Sequence, residues 1–285
     1  MKQCPACGGV PDASWHCGCG WQVSIEGGFP AFAPELAREN AGFQPGYFAE
    51  LAALEEENFW FKARNALILE MLEACFPGAG SFLEIGCGTG YVLSGIRAAH
   101  PDMALAGSEI YAAGLGFAAG RAQGAALMQM DARNMPFSGE FDAIGAFDVL
   151  EHIIEDEAVL SQMFDSVKPG GGILVTVPQH PFMWSEQDVA ACHVRRYTRR
   201  ELSEKMRRAG FRVERATSFV SLLFPLMMAS RLLAKQKPTD PMSELKLGRA
   251  TNRIFEAVMG MELKLISSGL SLPFGGSLLM VGRKA

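Results

Sequence analysis

The sequence predicts a doubly wound α/β fold, a mostly parallel seven-stranded sheet with helices on both faces. Three observations carry this. Short apolar runs alternate with helix-length segments from Ser81 to Pro178. The first run ends in a glycine-rich turn, Gly86-Cys87-Gly88-Thr89-Gly90. The second ends on an acid, Glu109. Alternation of this kind implies right-handed crossovers and parallel strands covered on both sides.

The segment to about Ala41 is rich in Gly, Pro and Cys and has no helical period. Between Gly46 and Phe76 apolar residues recur three and four apart, which predicts two helices. Pro77 to Gly80 break the chain. Strands are expected at Ser81–Cys87, Ala104–Ile110, Ala126–Ala132, Phe141–Leu150, Gly172–Pro178, Arg212–Phe219 and Ser277–Lys284. A loop of about 20 residues, Gln179 to Tyr197, precedes a helix whose capping box is Thr198 with Glu201. Val220 to Gly276 has a mostly helical pattern. The expected organisation is a cysteine-rich, zinc-ribbon-like module (1–41), a helical cap (42–78), an α/β core (79–219), a helical insertion (220–276) and a last core strand (277–285).

With 49% apolar and 20% charged residues, the chain can bury one large core. A net charge of -5 argues against a surface that tracks nucleic acid everywhere, though not against a local basic patch. The start, MKQCPACGG, lacks the apolar run of a secretory signal, and a cytoplasmic location is expected. Phe219 to Leu233 comes nearest to a membrane span, but Pro225 and Arg231 interrupt it.

Glycines at a strand-to-helix turn let the backbone approach a ligand, and the helix N-terminus offers it free N–H groups. The spacing here is GxGxG rather than GxGxxG. Glu109 can accept from both hydroxyls of a ribose, and Asp131 from an adenine amino group. Glu84 to Gly90, Glu109, the DARNMPF run from Asp131 to Phe137, FDVLEHI from Phe147 to Ile153 and VKPGG from Val167 to Gly171 resemble, in order, the class I S-adenosylmethionine-dependent methyltransferases. The resemblance runs from about Asn58 to Phe219. It implies that Gly86, Cys87, Gly88 and Gly90 line the methionine part of the cofactor, with Cys87 a small turn residue and not a nucleophile. Glu84 would orient the turn, Glu109 would hold the ribose, and Ile110 would pack on the adenine. Asp131, with Ala132 beside it, would bond the adenine amino group, and Asp148 would lie beneath the sulfonium.

The segment Asp148-Val149-Leu150-Glu151-His152 reads in two ways. In one, the acids make loop hydrogen bonds and His152 shapes the pocket. In the other, Asp148, Glu151 and His152 hold a second divalent metal, as similar acid-xx-Glu-His segments do in small-RNA 2′-O-methyltransferases and ubiquinone-pathway O-methyltransferases. His193 to Leu202 resembles a segment that borders the acceptor pocket in small-molecule members. His193 is the candidate general base, against a loop histidine bonded to backbone, and Tyr197 the candidate lining residue.

Cys4, Cys7, Cys17 and Cys19 supply four thiolates, enough for a structural zinc, although the second pair is CxC and His16 can replace one thiolate. Between Arg195 and Arg215 stand nine basic residues against three Glu, a solvated face or a grip on anionic groups. The apolar stretch from Phe219 is a packed cap or a greasy pocket, with peripheral membrane contact as a variant. The leading expectation is methyl transfer to a small-molecule or lipid-like acceptor, at oxygen first and carbon second. The rivals are an RNA methyltransferase, disfavoured by charge and by DVLE standing where such enzymes carry an Asn-Pro-Pro-Tyr-type motif, and a cofactor-binding module without turnover.

Overall fold

The structure is a computed structural model and describes residues 1–36, 46–233 and 246–285; of residues 232 and 233 only the backbone is described. The expected module boundary at 41/42 and part of the insertion lie outside the described residues. The strands are β1 (Ser24–Glu26), β2 (Phe29–Ala31), β3 (Ser81–Ile85), β4 (Ala104–Glu109), β5 (Ala126–Gln129), β6 (Phe141–Phe147), β7 (Val167–Pro178), β8 (Arg212–Phe219) and β9 (Ser277–Arg283). The helices are α1 (Tyr47–Glu55), α2 (Phe59–Cys75), α3 (Tyr91–Ala99), α4 (Ala112–Arg121), α5 (Asp156–Ser166), α6 (Glu186–Ala190), α7 (Arg199–Arg208), α8 (Phe224–Leu233) and α9 (Arg249–Ser267).

The strands form one sheet in the order β1-β2-β5-β4-β3-β6-β7-β9-β8. The seven-strand expectation is corrected to nine, because the cysteine-rich segment folds into a β1–β2 hairpin. Its second strand pairs with β5 in parallel, Ala31 opposite Gln129. An edge strand carries unpaired N–H and C=O groups, and this hairpin covers that of β5. β9 runs antiparallel between β7 and β8, so the sheet is mixed.

Period-two alternation divides the core into two layers. Leu83, Ile85, Ile173, Val175 and Val177 face α5 and α7, where Val159, Leu160, Met163, Leu202 and Met206 meet them. Phe82 and Leu174 point the other way, into Leu67, Ile68, Met71 and Leu72 of α2 and Leu93 and Ile96 of α3. Burying each such side chain contributes about 1.5–3 kcal/mol, so strands hidden on both faces are fixed in register. The order reverses between β3 and β6, and the chain leaves the carboxyl ends of both into one crevice, the usual ligand position in such sheets.

The loop from Gln179 to Tyr197 is more ordered than the sequence implied. It contains α6, capped by Ser185 and Asp188 in a reciprocal box. At α7 the side chain of Thr198 accepts from the Glu201 N–H at 3.1 Å.

Asp156, at the start of α5, joins that helix to α7. It is buried and accepts from Tyr197 Oη at 2.6 Å, Lys205 Nζ at 2.5 Å and Arg195 at 2.7 Å. Burial raises its pKa, but Lys205, Tyr197 and Arg195 outweigh this and hold it below the usual value of 3.8. Its stabilisation is therefore complete above that value and is lost as pH falls through the lower folded-state pKa. Asp156→Asn is expected to cost about 3 kcal/mol near neutrality, because it leaves buried cations unpaired. In urea titrations the variant should also lose less stability than the parent between about pH 4 and pH 2.

Candidate functional site

The turn after β3 holds Gly86, Gly88 and Gly90 at φ 66, 51 and 77, left-handed values that only glycine adopts cheaply. Packing adds a second constraint. A Cβ on Gly86 would lie 2.5 Å from Val149 Cγ2, and one on Gly90 would lie 2.7 Å from the Ala118 Cα. On Gly88 it would meet only Phe48 of α1, at 3.9 Å. Cys87 is buried, and burial pushes its thiol well up, away from the reactive thiolate.

Glu109 ends β4 beside this turn, accepting from the N–H of Gly88 at 3.1 Å and of Tyr111 at 3.2 Å. Burial raises its pKa against these donors. Glu84 is buried, and its Oε2 meets no donor among the described residues. Burial, only partly offset by Arg64, pushes its pKa well above the carboxylate range. Ile110 accepts through its carbonyl from Gln129 Nε2 at 3.1 Å. Asp131 is held by Arg133, whose Nε lies 3.0 and 3.1 Å from its two oxygens, with the largely buried Ala132 between them.

Asp148 follows β6 with φ 56 and faces the same crevice. Its Oδ2 accepts from Arg64 at 2.5 Å and from Thr176 at 3.1 Å, while the Arg64 guanidinium stacks on Trp60 at 4.5 Å. The expected trio Asp148, Glu151 and His152 is thereby altered: Asp148 is engaged by an arginine. The group that converges is Glu151, His152 and His193, with ligand atoms within 4.8 Å of one another. Glu151 is fully buried, and neither carboxylate oxygen has a hydrogen-bond donor among the described residues. Burial first, then Asp148, raises its pKa well above the usual value.

Both imidazoles are anchored from behind. His193 Nδ1 lies 3.0 Å from Oδ1 of the buried Asp188, which also accepts from Arg196 Nε at 2.7 Å. His152 is hydrogen-bonded to the Cys192 backbone, and its ring meets that of His193 edge-on at 4.8 Å. Surrounding protein and His193 pull the His152 pKa down, towards about 4, but the residue is exposed and solvent screens much of that shift. Tyr197 does not line the site. It is buried, and its hydroxyl donates to Asp156, because α7 must dock on α5 there.

Several residues here escape sequence reasoning. Glu55 accepts from Thr89 Oγ1 at 2.5 Å and from Arg121, which also donates to the Ala52 carbonyl at 2.6 Å, so α1 is fastened over the glycine turn. Nothing in the spacing marks Arg64 or Glu55, whereas the Ser185-xx-Asp188 capping pattern was available as a signal.

The basic run divides between pairs held inside the fold and pairs on the surface, where Arg200, Arg208 and Arg212 stay exposed. Arg195 and Lys205 pair with Asp156, Arg196 with Asp188, Arg200 with Glu204, Arg208 with Glu157 and Arg212 with Glu214. Arg199 and Arg215 donate to the carbonyls of Leu272 and Ile266. At the N-terminus the Sγ atoms of Cys4 and Cys19 are 3.7 Å apart and those of Cys7 and Cys17 3.6 Å, and all four lie within 4.8 Å.

Glu109→Ala is expected to lower affinity for S-adenosylhomocysteine at least about tenfold, the worth of hydrogen bonds to a charged group, without a matching fall in melting temperature. Isothermal titration calorimetry beside a thermal melt checks this.

Residues 55–216 match the sequence family described as "Methyltransferase domain". A Mycolicibacterium smegmatis protein, named as a probable S-adenosylmethionine-dependent methyltransferase, is 27% identical over 169 residues, 58% of this chain and 63% of that protein. The chain thus matches less than two thirds of that relative's length. Among solved structures, a chain of the complex between the Haloferax volcanii Trm112 methyltransferase activator and a methyltransferase superposes with a TM-score of 0.54 at 18% identity, covering 84% of this chain and 96% of that one. Haemonchus contortus phosphoethanolamine N-methyltransferase 2, in complex with S-adenosyl-L-methionine, gives 0.50 at 17% identity, covering 76% and 51%. With the glycine turn, its acidic partner and a family match over more than half the sequence, the chain belongs to the class I S-adenosylmethionine-dependent methyltransferases.

Proposed function

We propose that the protein transfers the sulfonium methyl of S-adenosylmethionine to an oxygen of a small-molecule or lipid-like acceptor. The donor set fits that cofactor: a turn where added side chains clash, and a buried acid, Glu109, facing it. Gly86, Gly88, Gly90 and Glu84 would hold its methionine part, Glu109 the ribose, and Ile110, Asp131 and Ala132 the adenine. When bound it supplies an already activated methyl, and the protein's task is to align the acceptor and exclude water.

The observation that carries the acceptor class is the aromatic cluster around His180, on the loop that also carries His193. His180, at φ 65 just beyond β7, packs among Phe182, Phe224 and Phe274 with ring centroids 5.0, 5.3 and 5.6 Å away. Phe182, Trp184, Leu226 and Phe274 are exposed. Arg231 of α8 reaches Ser185 and lies 3.7 Å from Asp188, so the helical insertion closes over the loop that carries His193. An aromatic cluster on a loop that also carries polar, hydrogen-bonding side chains suits an acceptor with a greasy body and a hydroxyl head. The net charge of -5 weighs against the RNA reading.

His193, oriented by Asp188, takes the acceptor proton in this reading. Glu151, His152 and His193 also fit a divalent cation, since the buried Glu151 oxygens lack partners among the described residues and each ring is held by a hydrogen bond. When bound, a cation there would supply Lewis acidity towards the acceptor oxygen. Cys4, Cys7, Cys17 and Cys19 fit a structural zinc by donor type, number and mutual distance.

Label from S-adenosylmethionine is expected in the organic-soluble fraction of a cell extract, and label in RNA instead would overturn the acceptor class. With the acceptor in hand, His193→Gln should lower kcat about hundredfold or more while affinity for S-adenosylhomocysteine changes little. Unchanged kcat would remove His193 from the mechanism.

A further inference from the structure

We infer that the N-terminal metal module sets the affinity for the adenine end of the cofactor, by clamping the β5–β6 loop from both sides. The inference rests on reading the four thiols as a metal site. The loop from Asp131 to Phe137 carries the carboxylate proposed to meet the adenine amino group. Its near end is gripped by the module's hairpin. Phe32 N–H donates to the Gln129 carbonyl at 2.9 Å, and Ala33 N–H to Gln129 Oε1 at 3.0 Å. Gln129 Nε2 donates in turn to the Ala33 carbonyl at 2.7 Å and to the Ile110 carbonyl at 3.1 Å. One buried amide therefore joins the module to both strands that end at the expected adenine site.

The far end of the loop is gripped by the first residues of the chain. Gln3 N–H donates to the Pro136 carbonyl, and Ser138 N–H to the Met1 carbonyl, each at 2.9 Å, while Lys2 bridges Phe137. Between the two grips, buried Trp15 packs edge-on against Phe32 at 4.6 Å and Phe137 at 5.7 Å.

The thiols sit where these arms begin. Cys4 and Cys7 continue directly from the residues that hold Pro136 and Phe137. Cys17 opens, and Cys19 lies within, a turn closed by Cys17 N–H to the Trp21 carbonyl at 2.9 Å that leads into the hairpin. A metal joining the two pairs crosslinks the two arms. A segment this short has too little core to hold that geometry alone, so metal binding supplies much of its folding free energy. The metal then acts on the cofactor site without touching the cofactor, as a coupling between two sites.

The test uses the full chain, with zinc measured by elemental analysis. Calorimetry then compares S-adenosylhomocysteine with its inosine counterpart, in which an oxo group replaces the adenine amino group. Removing zinc is expected to weaken S-adenosylhomocysteine about tenfold, a typical coupling, and to erase the preference over the inosine compound. Trp15→Leu, which keeps all four thiols, should retain zinc yet show the same loss of preference; it decides the matter if metal removal unfolds the whole chain. Zinc present, with affinity and preference unchanged by its removal or by Trp15→Leu, overturns the inference alone. Protein that neither carries nor takes up zinc overturns the metal reading and the inference together.

Discussion

The turn between β3 and α3 has no room for a side chain at Gly86 or Gly90, and the arrangement of the site follows from that. Val149 occupies the space over Gly86, and the backbone of Ala118 occupies the space over Gly90. Val149 belongs to the segment after β6, and Ala118 to α4 after β4. The glycines thus pull three crossovers against one another at the carboxyl edge of the sheet. That contact brings Asp148 and Glu109 to the same crevice and leaves Gly88, whose missing Cβ meets no atom closer than Phe48, as the open backbone surface. Left-handed φ values at all three positions make the geometry costly for any other residue.

Buried charge sorts the site into settled and unsettled halves. Asp148, Asp156 and Asp188 each face an arginine or lysine within hydrogen-bond distance and anchor structure. Among the described residues Glu151 has no hydrogen-bond donor, and Glu84 keeps one oxygen unpaired. An uncompensated buried carboxyl costs enough that it protonates or awaits a partner. The raised pKa values of both acids express that cost, and they fall where chemistry is expected rather than at random in the core.

The glycine turn and the acid beside it were legible in the sequence because local rules build them. A strand, a glycine turn and a following acid sit within one βαβ unit, and period-two alternation in SFLEI and GILVTVP fixes which faces are covered. The N-terminal hairpin was not legible, since three-residue strands with intermediate burial carry almost no periodic signal. Nor were the roles of Arg64 and Asp188, which depend on pairings across the chain: Arg64 with Asp148, and Asp188 with His193 and Arg196. Tyr197 was misplaced for a related reason. An aromatic residue next to a histidine reads equally well as pocket lining or as core, and only the position of Asp156 separates the two.

The acceptor half is assembled from segments remote in sequence, and that explains why one fold can serve many acceptors. In the proposed reading the acceptor would meet the stretch after β6, the loop after β7 and the described part of the insertion between β8 and β9. Arg231 links the insertion to the loop after β7 through Asp188, the same carboxylate that holds His193. A change in the insertion would therefore act on the orientation of the candidate base as well as on the aromatic cluster. Glycine turn and sheet need not change for this to happen, because none of their contacts runs through Asp188. Evolution of the acceptor can proceed in the insertion while the cofactor site stays fixed, and the division of labour lies in the packing itself.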